Sequence, residues 1–135
     1  MDEDVQAAAA RLVRRLKEGG HSITVAESCT GGLLSSAFTD IAGASSWFNQ
    51  AWVTYSNEAK IKELEVRPES IEKKGAVSAE VAIQMAKGAL KRAGADIAIS
   101  ITGIAGPKND RTNKKVGLVY VGIASNNWAN AESTE

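Results

Sequence analysis

The run Asp96-Ile97-Ala98-Ile99-Ser100-Ile101 is apolar at almost every position, with no alternation that would give it a wet face. A run of this kind is a strand buried on both sides, and such strands belong to sheets covered by helices above and below. Just upstream, Ser78 caps a predicted helix that reaches Arg92. Ala82, Met85, Ala86, Ala89 and Ala93 form its one apolar stripe, and Gly94 ends it. Pro68 opens a short helical turn, since proline suits the first helical position. Ser56-Asn57 can cap a helix over Glu58–Leu64, and Asn49–Tyr55 (NQAWVTY) is a strand. Ser22–Ala26 (SITVA) is short and β-branched, hence a further strand. It leaves through a polar turn, Glu27-Ser28-Cys29-Thr30-Gly31-Gly32, into a helix carrying Leu33, Leu34, Ala37 and Phe38.

The first helix spans Asp4–Lys17, with Val5, Ala8, Ala9, Leu12, Val13 and Leu16 at helical spacing, and Gly19-Gly20 stops it. Downstream of the buried run, a loop over Thr102–Lys115 leads to a strand over Val116–Ala124, and Ser125–Glu135 reads as a polar tail. Strands alternating with helices predict an α/β sandwich with a mainly parallel sheet. Ligands of such sheets bind beyond the carboxyl ends of the strands. That rule selects three loops, Glu27–Gly32, Tyr55–Lys60 and Thr102–Pro107, which converge only if their strands run the same way.

Composition narrows the function. The chain has 135 residues, one domain's worth, with 16 Lys plus Arg against 16 Asp plus Glu. A neutral chain without a basic block has no electrostatic footprint for nucleic acid or an anionic membrane. No stretch approaches the length of a membrane span, and the acidic start Met1-Asp2-Glu3-Asp4 is unlike a secretory signal, so a cytoplasmic setting is expected. Cys29 is the lone cysteine and His21 the lone histidine, so neither an internal disulfide nor a His/Cys metal cluster is expected, and no cofactor is implied.

Thr30-Gly31-Gly32 at a helix start presents backbone N–H groups and lets an anion approach closely, although a capped turn is the commoner use of such a triplet. Ser28 and Cys29 are both possible nucleophiles there, and either requires a base within hydrogen-bond reach. His21 precedes the strand that Ser28 and Cys29 follow, about 20 Å away at strand rise, which leaves lysine. Lys60 lies in a first helical turn, where the helix dipole lowers its pKa by well under one unit; burial must supply the rest. Tyr55, at a strand end, is placed to bond both a serine hydroxyl and a lysine amine. An ordinary surface lysine and a half-buried strand-end tyrosine are the commoner fates of such residues. Trp47, Phe48 and Trp52 read first as core or subunit-interface packing.

Four segments together resemble the CinA C-terminal domain family. They are Thr24–Gly32 (TVAESCTGG), Val53–Lys60 (VTYSNEAK), Gly75–Ser78 (GAVS) and Ser100–Pro107 (SITGIAGP), in the family's order and over nearly all of residues 5–124. The resemblance implies a three-layer α/β/α sandwich in a single domain over 1–135, often dimeric, here without the family's final strand and helix. It implies a nicotinamide-nucleotide amidase, which converts nicotinamide mononucleotide to nicotinate mononucleotide and ammonia. By the same match, Ser28 is the nucleophile with Tyr55 and Lys60 supporting it. Glu27, Thr30, Gly31, Gly32, Asn57, Thr102 and Gly103 would then line the nucleotide. A non-catalytic nucleotide-binding or assembly module of the same fold is the alternative.

Overall fold

The computed structural model describes residues 3–104 and 114–134. Helix α1 (Glu3–Gly19) leads to strand β1 (Ile23–Glu27), helix α2 (Leu33–Thr39), a 3-10 turn at Ala44–Ser46 and strand β2 (Phe48–Val53). Helices α3 (Asn57–Leu64), α4 (Pro68–Lys74) and α5 (Ala79–Ala93) follow, then strands β3 (Ile97–Gly103), β4 (Val119–Ser125) and β5 (Trp128–Thr134). The caps read in the sequence are in place. Ser56 accepts from the N–H of Ala59, Ser78 accepts from that of Val81, and Gly94 closes α5 at φ 63°.

The five strands lie in the order β2-β1-β3-β4-β5. β1 pairs in parallel with both β2 and β3, while β3–β4 and β4–β5 are antiparallel. β4 alone therefore opposes the others, and the expectation of a mainly parallel sheet holds. The expectation of a polar tail without a final strand does not. Residues Trp128–Thr134 form β5, which pairs with β4 from Ser125↔Trp128 to Val119↔Thr134. Edge strands carry polar side chains on both faces, so this one lacks the apolar run that marks a central strand. Among the described residues no helix follows it.

Two cores make the three layers. On one face α3, α4 and α5 cover Ala26, Ala98 and Ala124, with Leu64, Val81, Met85, Ala86 and Ala89 fully buried. Small residues on both sides let α5 approach closely: a Cβ added at Gly122 would sit 2.6 Å from the Ala82 carbonyl oxygen. On the other face α1 and α2 bury Val13, Leu16 and Phe38 against Ile23 and Val25. Trp47 and Phe48 belong to this second core, with Trp47 edge-on to Phe38 at 5.7 Å, whereas Trp52 packs on the opposite face. The β1–β2 register slips between Ile23↔Phe48 and Val25↔Ala51, inserting one residue into β2 and reversing which side chains face which layer. The aromatic trio is thus core material, divided between two layers.

Candidate active site

Because β2, β1 and β3 run the same way, their carboxyl ends share one edge of the sheet, with β1 in the middle. The turn after β1 brings Ser28 to that edge and the first turn of α3 brings Lys60 to it. The two side chains meet: Lys60 Nζ donates to Ser28 Oγ at 3.0 Å. Both are buried, Ser28 at 6% and Lys60 at 2% exposure. Lys60 also donates to the carbonyl oxygens of Thr54, at 2.9 Å, and Tyr55, at 3.1 Å. Burial pushes the lysine down from its ordinary value to about 8. The shift demanded of burial in the sequence is present, and its cause is desolvation of the ammonium.

These three contacts suit either protonation state. An ammonium donates to all three oxygens. A neutral amine keeps two N–H bonds to the carbonyls and turns its lone pair to the Ser28 hydroxyl, the arrangement of a general base. Cys29 is not so paired. Burial raises its thiol above the ordinary value, and the amine of Lys60 is bonded to Ser28 Oγ instead. His21 lies beyond the other end of β1, half exposed, with Nδ1 3.8 Å from Asp96.

Tyr55 differs from expectation. Its side chain is 69% exposed, and the atom that reaches Lys60 is its main-chain oxygen. Chain direction explains this: residues past the end of β2 turn toward α3, so the backbone of Thr54–Tyr55 passes over the buried amine while the ring projects outward. Asn57, first residue of α3, is also exposed.

Glu27, the last residue of β1, is fully buried. Its carboxylate accepts from Thr30 Oγ1 at 2.6 Å, from the N–H groups of Leu34 (3.0 Å) and Ser35 (2.8 Å), and from Ser35 Oγ at 2.6 Å. Burial alone would raise its pKa, but these hydrogen bonds together hold it below the ordinary value. The start of α2 was a candidate anion seat, with a capped turn the commoner use of such a triplet; the N–H groups of Leu34 and Ser35 are taken by the chain's own carboxylate. Gly31 and Gly32 adopt φ 62° and 108°, which favour glycine, and let the turn double back over Glu27.

Thr102 and Gly103 bring in the third loop. The Thr102 hydroxyl is buried and donates to the Ala76 carbonyl at 3.0 Å, tying the end of β3 to the Gly75–Ser78 segment. Gly103 lies against the nucleophile turn, where an added Cβ would be 2.9 Å from Cys29 Sγ. Ala105-Gly106-Pro107 lies outside the described residues. Two contributors were missed in the sequence. Thr54 seats Lys60 through its carbonyl oxygen while its own Oγ1 is buried without a hydrogen-bond partner among the described residues. Ser35 holds Glu27 from a position that reads as an ordinary helix residue. Among the described residues no group of three or more His, Cys, Asp or Glu gathers as a metal site, and no helix is long and apolar enough to cross a membrane.

A buried serine on a strand-to-helix turn, bonded to a desolvated lysine on an α/β sandwich, sets a hydroxyl beside an amine able to take its proton. The model of the CinA C-terminal domain family matches residues 5–135, and the chain belongs to that family. It is 47% identical over 124 residues to the nicotinamide-nucleotide amidohydrolase PncC of Escherichia coli K12, covering 92% of this chain and 75% of that protein. It is 53% identical over 120 residues to a putative competence-damage inducible protein of Caldicellulosiruptor saccharolyticus, covering 89% of this chain but 29% of that longer one. The crystal structure of the competence/damage inducible protein CihA from Agrobacterium tumefaciens superposes with a TM-score of 0.90 at 41% identity, covering 100% of this chain and 81% of the other.

Proposed function

We propose that the protein is a nicotinamide-nucleotide amidase that works through Ser28 and Lys60. The observation that carries this reading is the 3.0 Å contact between a buried serine hydroxyl and a buried lysine amine. The 47% identity to an amidohydrolase acting on nicotinamide nucleotide supports the substrate class. In this mechanism neutral Lys60 takes the Ser28 proton as Oγ attacks the carboxamide carbon. Backbone N–H groups of the Ser28–Gly32 turn stabilise the oxyanion. Lys60 returns the proton to the departing nitrogen, ammonia leaves, and water activated by the same amine releases nicotinate mononucleotide.

The Thr54 and Tyr55 carbonyls hold the amine in place through both half-reactions. The exposed Tyr55 ring, Asn57, Thr30, Gly31, Gly32 and Gly103 line the approach to Ser28 and contact the nucleotide; Thr102 supports that lining from beneath. The enzyme acts in the cytoplasm as a homodimer, with no metal or cofactor in the reaction. Ammonia release from nicotinamide mononucleotide by the wild type with no metal added, and its loss in Ser28→Ala, tests the reading. A wild type that binds the nucleotide and releases no ammonia overturns it in favour of a binding module.

A further inference from the structure

We propose that Glu27 is a positioning residue that sets the nucleophile turn and the lysine seat together, rather than a substrate ligand. The inference rests on the serine–lysine reading above. Glu27 offers nothing to a ligand: it is fully buried, and both its carboxylate oxygens are occupied from within the chain. Four donors converge on it, two from N–H groups and two from hydroxyls. An ionised carboxylate is acceptor-only with about four lone-pair sites, so donors and acceptors match one to one. These bonds draw Thr30 and the start of α2 back over β1 and thereby fix the turn that presents Ser28.

The main chain of the same residue reaches the base. The N–H of Thr54 donates to the Glu27 carbonyl at 2.8 Å, and the Thr54 carbonyl in turn accepts from Lys60 Nζ at 2.9 Å. Ser28, Glu27, Thr54 and Lys60 therefore close a ring of one covalent link and three hydrogen bonds. Any shift of Glu27 moves nucleophile and base relative to each other. The buried carboxylate also closes the α2 N-terminus to an incoming phosphate, which must bind elsewhere along the approach.

Glu27→Gln tests this, because it keeps the shape and breaks the match. The amide nitrogen must face at least one N–H or O–H donor, and the backbone N–H groups cannot turn away. The expected result is a kcat for nicotinamide mononucleotide lower by about 10²-fold with KM within about twofold, as for small misplacements of a catalytic pair. Labelling of Ser28 by a fluorophosphonate should slow in parallel. Ser35→Ala and Thr30→Val should each cost about tenfold in labelling rate, and neither should add to the loss in Glu27→Gln, since all three act through one turn. A raised KM at unchanged kcat in Glu27→Gln overturns the proposal in favour of substrate contact. A loss of rate no larger than the loss of folded protein also overturns it. Should Glu27→Gln fail to fold, full labelling rates in both Ser35→Ala and Thr30→Val would be the contrary result. A wild type labelled at Ser28 that releases no ammonia refutes the amidase reading alone, and the labelling rates then still decide the role of Glu27.

Discussion

At its amino end β1 starts beside His21 and Asp96, whose half-exposed side chains lie 3.8 Å apart. At its carboxyl end it delivers Ser28 to Lys60, a contact of 3.0 Å between groups hidden from water. The amino-end pair is structural: Asp96 accepts from the Ser22 N–H at 2.8 Å, which pins β1 to β3 and, through that backbone bond first, lowers the carboxyl below its ordinary value. Water screens what charge remains there, and exposed pairs contribute little. At the carboxyl end no carboxylate among the described residues forms a salt bridge with the lysine, and burial moves it toward the neutral amine. The difference between the two ends is solvent access, and one short strand shows both.

Removing the reactive end has the largest effect. Ser28→Ala should lower kcat by about 10⁴-fold or more with the far-ultraviolet circular dichroism unchanged, whereas Cys29→Ala should retain most activity because Lys60 is bonded to Ser28 and not to the thiol. Next come the lysine variants. Lys60→Ala should cost about 10³-fold in kcat, and Lys60→Arg nearly as much, because arginine keeps its proton and cannot act as a base. An arginine variant with near-normal kcat at saturating nucleotide would remove Lys60 from that role.

The pH profile sharpens the contrast. The base must be unprotonated, and its pKa is lowered from 10.5 to about 8, so activity rises with pH through that value. Below it, kcat/KM should fall by about tenfold per pH unit, the limb of a single base. A profile flat from pH 6 to 9 would contradict the assignment.

The opposite end should behave otherwise. Asp96→Ala removes the acceptor for Ser22 and should lower Tm by a few degrees while leaving kcat and its pH limb in place. The smallest effect belongs to His21→Ala, within about 0.5 kcal/mol in stability and without effect on turnover. A loss of turnover in His21→Ala at unchanged Tm would join the two ends functionally and break the comparison.

Much of the frame was legible in the chain. The apolar run at Ile97–Ile101, the caps Ser56 and Ser78, and the stop at Gly94 all act locally, through periodicity and backbone bonds within a few residues. β5 was not legible, because an edge strand with Asn126, Asn127, Asn130 and Glu132 in or beside it carries no apolar run, and its pairing partner β4 is what defines it. The divided aromatic trio depends on a register slip against β1 that no pattern inside β2 announces. The hold of Glu27 on Ser35, eight residues away across a glycine turn, belongs to no local capping pattern.

By itself the sequence determined the elements other than β5, their order and the three loops that carry serine, lysine and glycine, since these follow from hydropathy, caps and turn residues along the chain. It also made His21 a poor candidate for the base by strand length alone. Only the tertiary structure decided that Lys60 is a buried amine bonded to Ser28 rather than a surface cation. Its pKa depends on the water removed by β1, β2 and the nucleophile turn together, and its partner Ser28 is 32 residues away in the chain. Desolvation is a property of the assembled fold, and no single segment contains it.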